Sequence, residues 1–339
     1  MSLKFCIEKC LENIDLTAEE AAAALELIMT NQATDAQIAG FLVALRAKGE
    51  SVEELVGFAR TMREKSVKVS VEDPDAIDMC GTGGDGMGTF NISTVAAFVA
   101  AGAGVTVAKH GNRSVSSRSG SADVLMALGV NVQVSPRQVE ESINSVGIGF
   151  LFAPLFHPAM KYAAKARTEL GIRTIFNMVG PITNPASVQR QLIGTYNPSV
   201  AANLAGALRA LDSGRACVVH SSDGMDEVTI SGETHVNEVE RKKPVRSYSV
   251  NPAHFGLDGG TVGDLRGGTA EENAVIARRI LDGERTPARD VVIANAAFGI
   301  YVGGKAKTLK EAGEKAIDSI DAGRARKKLE GLVEYSQRP

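Results

Sequence analysis

A chain of 339 residues, 44% hydrophobic and 23% charged with a formal net charge of −3, has the composition of a folded globular protein. The near-neutral balance excludes a wholesale nucleic-acid or membrane-surface partner, and no run reaches the roughly 18 apolar residues of a membrane span. Cys6, Cys10, Cys80 and Cys217 are scattered without a CxxC pair or a spacing suited to zinc, which predicts reduced thiols in a cytoplasmic protein. The N-terminal "MSLKFCIEKCLENIDL" alternates charged and apolar residues, so no signal peptide is expected. The length suits two domains, or one large α/β domain with an appendage.

In chain order, helices come first. Thr17 with Glu20, Thr34 with Gln37 and Ser51 with Glu54 have capping-box spacing, and Gly49 is placed to end the helix in "IAGFLVALRAKG". A small helical domain over residues 1–72 follows, closed by the linker-like "VSVEDPDA". The texture then changes. The β-rich runs "AIDMC", "VTVAKHG", "VNVQV", "IGFLFAP", "QLIGTY" and "RACVVH" alternate with helical stretches such as "STVAAFVAAGAG" and "SADVLMALG". Buried strands alternating with helices predict an α/β domain over 73–339 with a mainly parallel central sheet flanked by helices. "EVTISGETHVNEVE" predicts an antiparallel hairpin turning at Ser231–Gly232, and Thr269 with Glu272 opens a late helix.

"DMCGTGGDGMGTFNIST" packs five glycines between Gly81 and Gly88, directly after a strand and before a helix. Such a loop exposes backbone N–H groups, and the helix N-terminus adds partial positive charge, so the pair suits phosphate or pyrophosphate. It is neither a P-loop nor a good GxGxxG fingerprint. Asp85 is placed to hold a sugar hydroxyl or a metal-bound water, and Ser93 either caps the helix or reaches a cation. "VAKHGNRSVSSRSGSADVL" gathers Lys109, His110, Asn112, Arg113, Ser114, Ser116, Ser117, Ser119 and Ser121 into a second anion-receptive loop. His110 beside Lys109 is a candidate general base, but the neighbouring cation and a structural hydrogen bond explain it as well. "VVHSSDGMDEVTI" delivers Asp223, Asp226 and Glu227, hard oxygen donors for Mg2+ or else ordinary surface acids. In "FAPLFHPAMKYAAKARTELGIRTIFNMVGPITNPA", His157, Lys161, Tyr162, Lys165 and Arg167 precede a Gly180–Pro181 turn. Helical spacing keeps them from all converging. A cation here could take a carboxylate, and the spacing does not choose between Lys165 and Arg167.

Together with "GGTAEENA", these motifs resemble, in order and over essentially the whole chain, those of the anthranilate phosphoribosyltransferase family. The resemblance implies a Mg2+-dependent pentosyltransferase of tryptophan biosynthesis. In its reaction the anthranilate amine attacks C1′ of 5-phosphoribosyl 1-pyrophosphate and releases pyrophosphate. It also implies a small helical domain joined by a segment near 170–185, and a homodimer through that domain. For phosphoribosyl pyrophosphate it implies Gly81, Gly83, Gly84, Asp85, Thr89, Asn91, Ser93, Thr94, Lys109, Gly111, Asn112, Arg113, Ser114, Val115, Ser116, Ser117 and Ser121, with Lys109 and Asp85 serving catalysis. For anthranilate it implies Gly81, Asn112, His157, Tyr162, Arg167 and Gly180, with Pro181 beside them. For magnesium it implies Ser93, Asp226 and Glu227, with Asp223 close by. Many members carry glutamate where this chain has Met126.

The expected chemistry is an oxocarbenium-like transition state with neither covalent nucleophile nor essential general base. Two rival readings are a pyrimidine nucleoside phosphorylase of the same architecture and a non-enzymatic nucleic-acid-binding relative. The "DE" pair and the "KHGNR" loop oppose the first, and the presence of that loop and Arg167 opposes the second. No glutamine amidotransferase domain is expected.

Overall fold

A computed structural model describes residues 2–114 and 118–338. The chain opens with four helices: α1 (Leu3–Leu11), α2 (Ala18–Met29), α3 (Asp35–Lys48) and α4 (Val52–Lys65). Thr17, Thr34 and Ser51 each cap their helix through the reciprocal box that the spacing predicts, and Gly49 ends α3 with φ +90°. Glu54 also accepts from the Leu16 N–H at 3.0 Å and pairs with Lys48 at 3.1 Å, tying α3, α4 and the α1–α2 connection at one buried carboxylate. Phe41 stacks on Phe58, which meets Phe176 edge-on at 5.7 Å. Phe176 belongs to the short helix Ile175–Val179, so a segment from the middle of the chain completes the apolar core of the bundle.

The sheet holds β1 (Ile77–Gly81), β2 (Val107–Gly111), β3 (Ile148–Phe152), β4 (Arg190–Gly194), β5 (Arg215–Ser221), β6 (Thr234–Glu240) and β7 (Arg246–Val250). Its order is β3-β2-β1-β4-β5-β6-β7, with β1 to β5 parallel and the last two antiparallel. One face packs on α5 (Ile92–Gly102), with the helices Pro287–Val302 and Arg324–Ser336 against α5. The other packs on Pro198–Ala210 and, through it, on α4. No helix among the described residues is long and apolar enough to cross a membrane.

Three local expectations change. "VNVQV" is extended but pairs with no strand: Val130 and Val132 are buried, and the Asn131 N–H is spent on the Ser336 hydroxyl at 2.9 Å. The antiparallel excursion is real, yet β6 pairs with β5; residues 227–230 form no strand because they serve the turn described next. Helix α5 begins at Ile92, so Asn91 occupies the N-cap position and Ser93 lies inside the first turn.

Candidate active site

β1 and β4 are neighbours in register, and Gly81 stands opposite Gly194 where both strands end. Across these two glycines lies the turn that carries Asp226 and Glu227. Buried Met225 and Val228 anchor it, and the Asn295 side chain bonds both the N–H and the carbonyl of Val228 at 3.0 and 2.9 Å. A Cβ on Gly81 would stand 2.4 Å from Asp226 Oδ2, and one on Gly194 would stand 1.6 Å from the Asp226 carbonyl oxygen. The sequence points Gly81 at a ligand; its first duty is to let this carboxylate turn settle onto the sheet edge.

The glycine loop takes a backbone path closed to most side chains, with φ of +72°, +73°, +78° and +65° at Gly83, Gly84, Gly86 and Gly88. Gly83 donates its N–H to Asp226 Oδ2 at 2.7 Å. Asp85 accepts from the N–H groups of Met87 and Asp226 at 3.0 and 3.3 Å, joining loop to turn. The far limb is braced by residues 265–273: Phe90 donates to the Leu265 carbonyl, Thr89 bridges Arg266, and Gly267 donates to the Gly88 carbonyl. Buried Asn273 donates to Asn91 Oδ1 at 3.0 Å, while Asn91 donates to the Ser119 carbonyl at 3.1 Å. Asn273 is a site residue the sequence reading missed. Its signal was an amide on the first turn of a helix whose other inward residues are small and apolar.

At the start of α5 the Ser93 N–H donates to Glu227 Oε1 at 3.0 Å, so a distant carboxylate takes an N-terminal amide that no local cap satisfies. Lys109 is buried beneath, donating to the Met79 carbonyl and lying 3.5 Å from the Ser93 hydroxyl. Thr94, one residue further into α5, is buried. Crowding by protein raises the carboxyl pKa values of Asp226 and Glu227; Asp85 adds to the effect on the first and Asp226 to that on the second, while Lys109 opposes it at Glu227. These are hard oxygen donors whose repulsion a divalent cation would relieve, so they fit Mg2+. Among the described residues, no three carboxylates, imidazoles or thiolates gather tightly enough to enclose an ion. Such a pair needs further oxygens, and the Ser93 hydroxyl lies on the same helical turn whose N–H Glu227 takes. Asp223 is otherwise engaged: its carboxylate takes the Met225 N–H and the hydroxyls of Thr229 and Ser231, closing its own turn.

Beyond β2, which ends at Gly111, Asn112 accepts from the Arg113 N–H at 2.8 Å, and its carbonyl receives the Ser121 hydroxyl at 3.2 Å. Asp123 takes the N–H groups of Ser114 and Gly120. Arg113 lies over Phe152 and 3.8 Å from the Met126 sulfur, so the departure at Met126 gives this arginine a thioether for a neighbour. Val115, Ser116 and Ser117 lie outside the described residues. Beneath the strands, fully buried Asp78 accepts from the His110 N–H at 3.1 Å and from Asn184 at 2.8 Å.

His110 and His157 face each other with ring centroids 5.2 Å apart. Both are buried, and His110 Nε2 and both His157 ring nitrogens lack a hydrogen-bond partner among the described residues. Burial pushes His110 down to about 3, helped by its neighbour His157, and His157 down to about 4, helped by Lys68.

Lys165 and Arg167 differ in their surroundings. Lys165 is exposed and paired with Asp35 of α3 at 2.8 Å. Arg167 sits over the Phe176 ring at 5.0 Å, half-buried and with no ion pair among the described residues; burial lowers its pKa. Lys161 covers the ring of Tyr162, and Gly180 opens the short 3-10 turn Gly180–Ile182.

The sequence matches the profile of the glycosyl transferase family helical bundle domain over residues 4–66 and that of its a/b domain over residues 73–326. The anthranilate phosphoribosyltransferase of Moorella thermoacetica is 53% identical over 333 residues, spanning 98% of each chain. The crystal structure of the Thermus thermophilus enzyme of that name superposes with a TM-score of 0.93 at 42% identity, over 98% of this chain and 99% of that one. The Saccharomyces cerevisiae enzyme in complex with PRPP and Mg gives 0.90 at 29% identity, over 98% and 97%. The chain belongs to the anthranilate phosphoribosyltransferase family.

Proposed function

We propose that this chain transfers the 5-phosphoribosyl group from phosphoribosyl pyrophosphate to the amine of anthranilate and releases pyrophosphate. One observation carries the reading: a carboxylate pair rests on paired strand-end glycines, hydrogen-bonded at once to a glycine loop and to the first turn of a helix. That arrangement sets anion-receptive amides beside hard metal ligands. It is what an activated sugar diphosphate requires.

In this reading Gly83, Gly84, Asp85, Thr89, Asn91, Thr94 and the 111–117 loop with Ser121 hold the phosphoribosyl pyrophosphate. Asp226, Glu227 and Ser93 hold Mg2+, which when bound neutralises the charge that the departing diphosphate gathers. Asp85 keeps loop and metal turn together, and Lys109 supplies a buried positive charge beneath them. Arg167 takes the anthranilate carboxylate in a partly desolvated setting where a charge-assisted pair is strong, with Asn112, His157, Tyr162 and Gly180 lining the approach. Positioning of the arylamine against C1′ then does most of the work. His110, held far below its ordinary pKa by burial, is too weak a base to be needed.

A homodimer and a cytoplasmic setting belong to the same proposal. The exposed apolar side chains Phe5, Leu11 and Val43 on the packed helices α1 and α3 support the first, and free thiols at all four cysteines the second. The decisive assay follows the loss of anthranilate fluorescence, omitting phosphoribosyl pyrophosphate or Mg2+ in turn. Signal loss only with all components present is the expected outcome. Phosphorolysis of thymidine or uridine instead would overturn it.

A further inference from the structure

Arg173 lies in the four-residue connection between the helix Lys161–Leu170, which carries Arg167, and the helix Ile175–Val179. Its guanidinium carbon stands 3.8 Å from the centroid of the Tyr196 ring, two residues past the end of β4. The same group presses on the glycine loop: a Cβ on Gly84 would stand 2.6 Å from Arg173 Nη2. Among the described residues Arg173 has neither an ion pair nor a hydrogen bond, whereas Arg190, Arg215 and Arg289 each pair with a carboxylate. A guanidinium stacked flat on a ring keeps its in-plane N–H donors free along the edge, and the stack fixes their direction.

We propose that Arg173 is a further substrate-binding residue, donating to an oxygen of the diphosphate held by the glycine loop. The inference rests on the reading of that loop as the phosphoribosyl pyrophosphate site. The loop presents amides to an anion, and the group nearest the Gly84 Cβ position is this cation. Arg167 and Arg173 then divide the substrates: the first serves the arylamine's carboxylate and the second the diphosphate. A single short connection joins the two.

The test titrates full-length enzyme with phosphoribosyl pyrophosphate, and separately with inorganic pyrophosphate, in excess Mg2+ by calorimetry. Arg173→Gln is expected to weaken both ligands about 10- to 100-fold, as loss of a charge-assisted bond does, while the anthranilate KM stays within about two-fold. Arg173→Lys, which keeps the charge, is expected to recover part of the loss, and Tyr196→Leu to weaken both ligands about three-fold. Should Arg173→Gln misfold, the lysine and Tyr196→Leu variants carry the test. Unchanged ligand affinity in these variants, or equal losses in Arg173→Lys and Arg173→Gln, would overturn the proposal. If the wild-type enzyme itself binds neither ligand with Mg2+ present, the reading of the loop fails instead, and this inference with it.

Discussion

The two sides of the site are built on opposite plans. On the glycine-loop side the carboxylates are already tied to the backbone around them: Asp226 takes the Gly83 amide, Glu227 takes Ser93, Asp85 joins loop to turn and Asn273 holds Asn91. On the other side Arg167 faces an aromatic ring and no acid, and two buried imidazoles, His110 of β2 and His157 beyond β3, have ring nitrogens with no partner among the described residues. Holding a diphosphate depends on fixed geometry, which hydrogen bonds within the protein supply. Recognising a small arylamine depends on unsatisfied groups that only the correct ligand completes. The first half is set by the fold; the second is finished by substrate.

Substitutions sharpen the contrast. The largest effect is expected from Asp226→Asn combined with Glu227→Gln: turnover drops about 1,000-fold or more and its Mg2+ dependence vanishes. The melting temperature holds or rises, because two crowded like charges are gone. A collapsed fold would instead make the pair structural. Gly194→Ala comes next. The new methyl meets a backbone oxygen that cannot swing aside, so a stability loss of about 1–3 kcal/mol is expected by denaturant titration, together with weaker Mg2+ activation. Full activity in that variant would show that the turn does not need its seat.

On the other side, Arg167→Ala is expected to raise the anthranilate KM about 10- to 100-fold and leave phosphoribosyl pyrophosphate affinity nearly intact; parallel losses would erase the division between the two halves. The smallest effect concerns pH. His110 and His157 have folded pKa values below that of a free imidazole, so their contribution to stability is complete above about pH 6.5 and declines as pH falls towards about 4 and 3. Each ring costs about 1.4 kcal/mol per pH unit within that window. The stability gap between wild type and His157→Gln should therefore shrink from pH 7.5 to pH 5 in thermal melts. A constant gap would mean that the folded ring takes up its proton over the same pH range as the unfolded one.

Local features of the molecule were legible in the sequence. Capping boxes at Thr17, Thr34, Ser51 and Thr269 involve residues three apart, and each is present. The glycine loop announced itself by composition, and the Asp226–Glu227 pair by charge. What escaped depends on contacts between distant segments. Nothing near Gly81 or Gly194 indicates that residue 226 will rest on them. Nothing near Lys165 indicates that Asp35, 130 residues earlier, takes up its charge while Arg167 has no ion pair among the described residues. The predicted strand at 227–230 failed for the same reason: β propensity along that stretch was overridden by the turn's tie to Asn295.

Buried Asp78 has a consequence for motion. Through Asn184 it fastens the end of the returning segment to the sheet, while the outgoing crossing is tied down by the Val67 and Val69 N–H groups on the carbonyls of Phe156 and Pro185. A swing of the helical lobe would therefore pivot on its own side of Val67, of Asn184 and of the third crossing, which follows β3 at residues 153–160. Arg167 lies on the lobe side of these moorings, whereas Gly84 and Tyr196 stand at the sheet edge, so a swing would be felt first at the Arg173 stack between them.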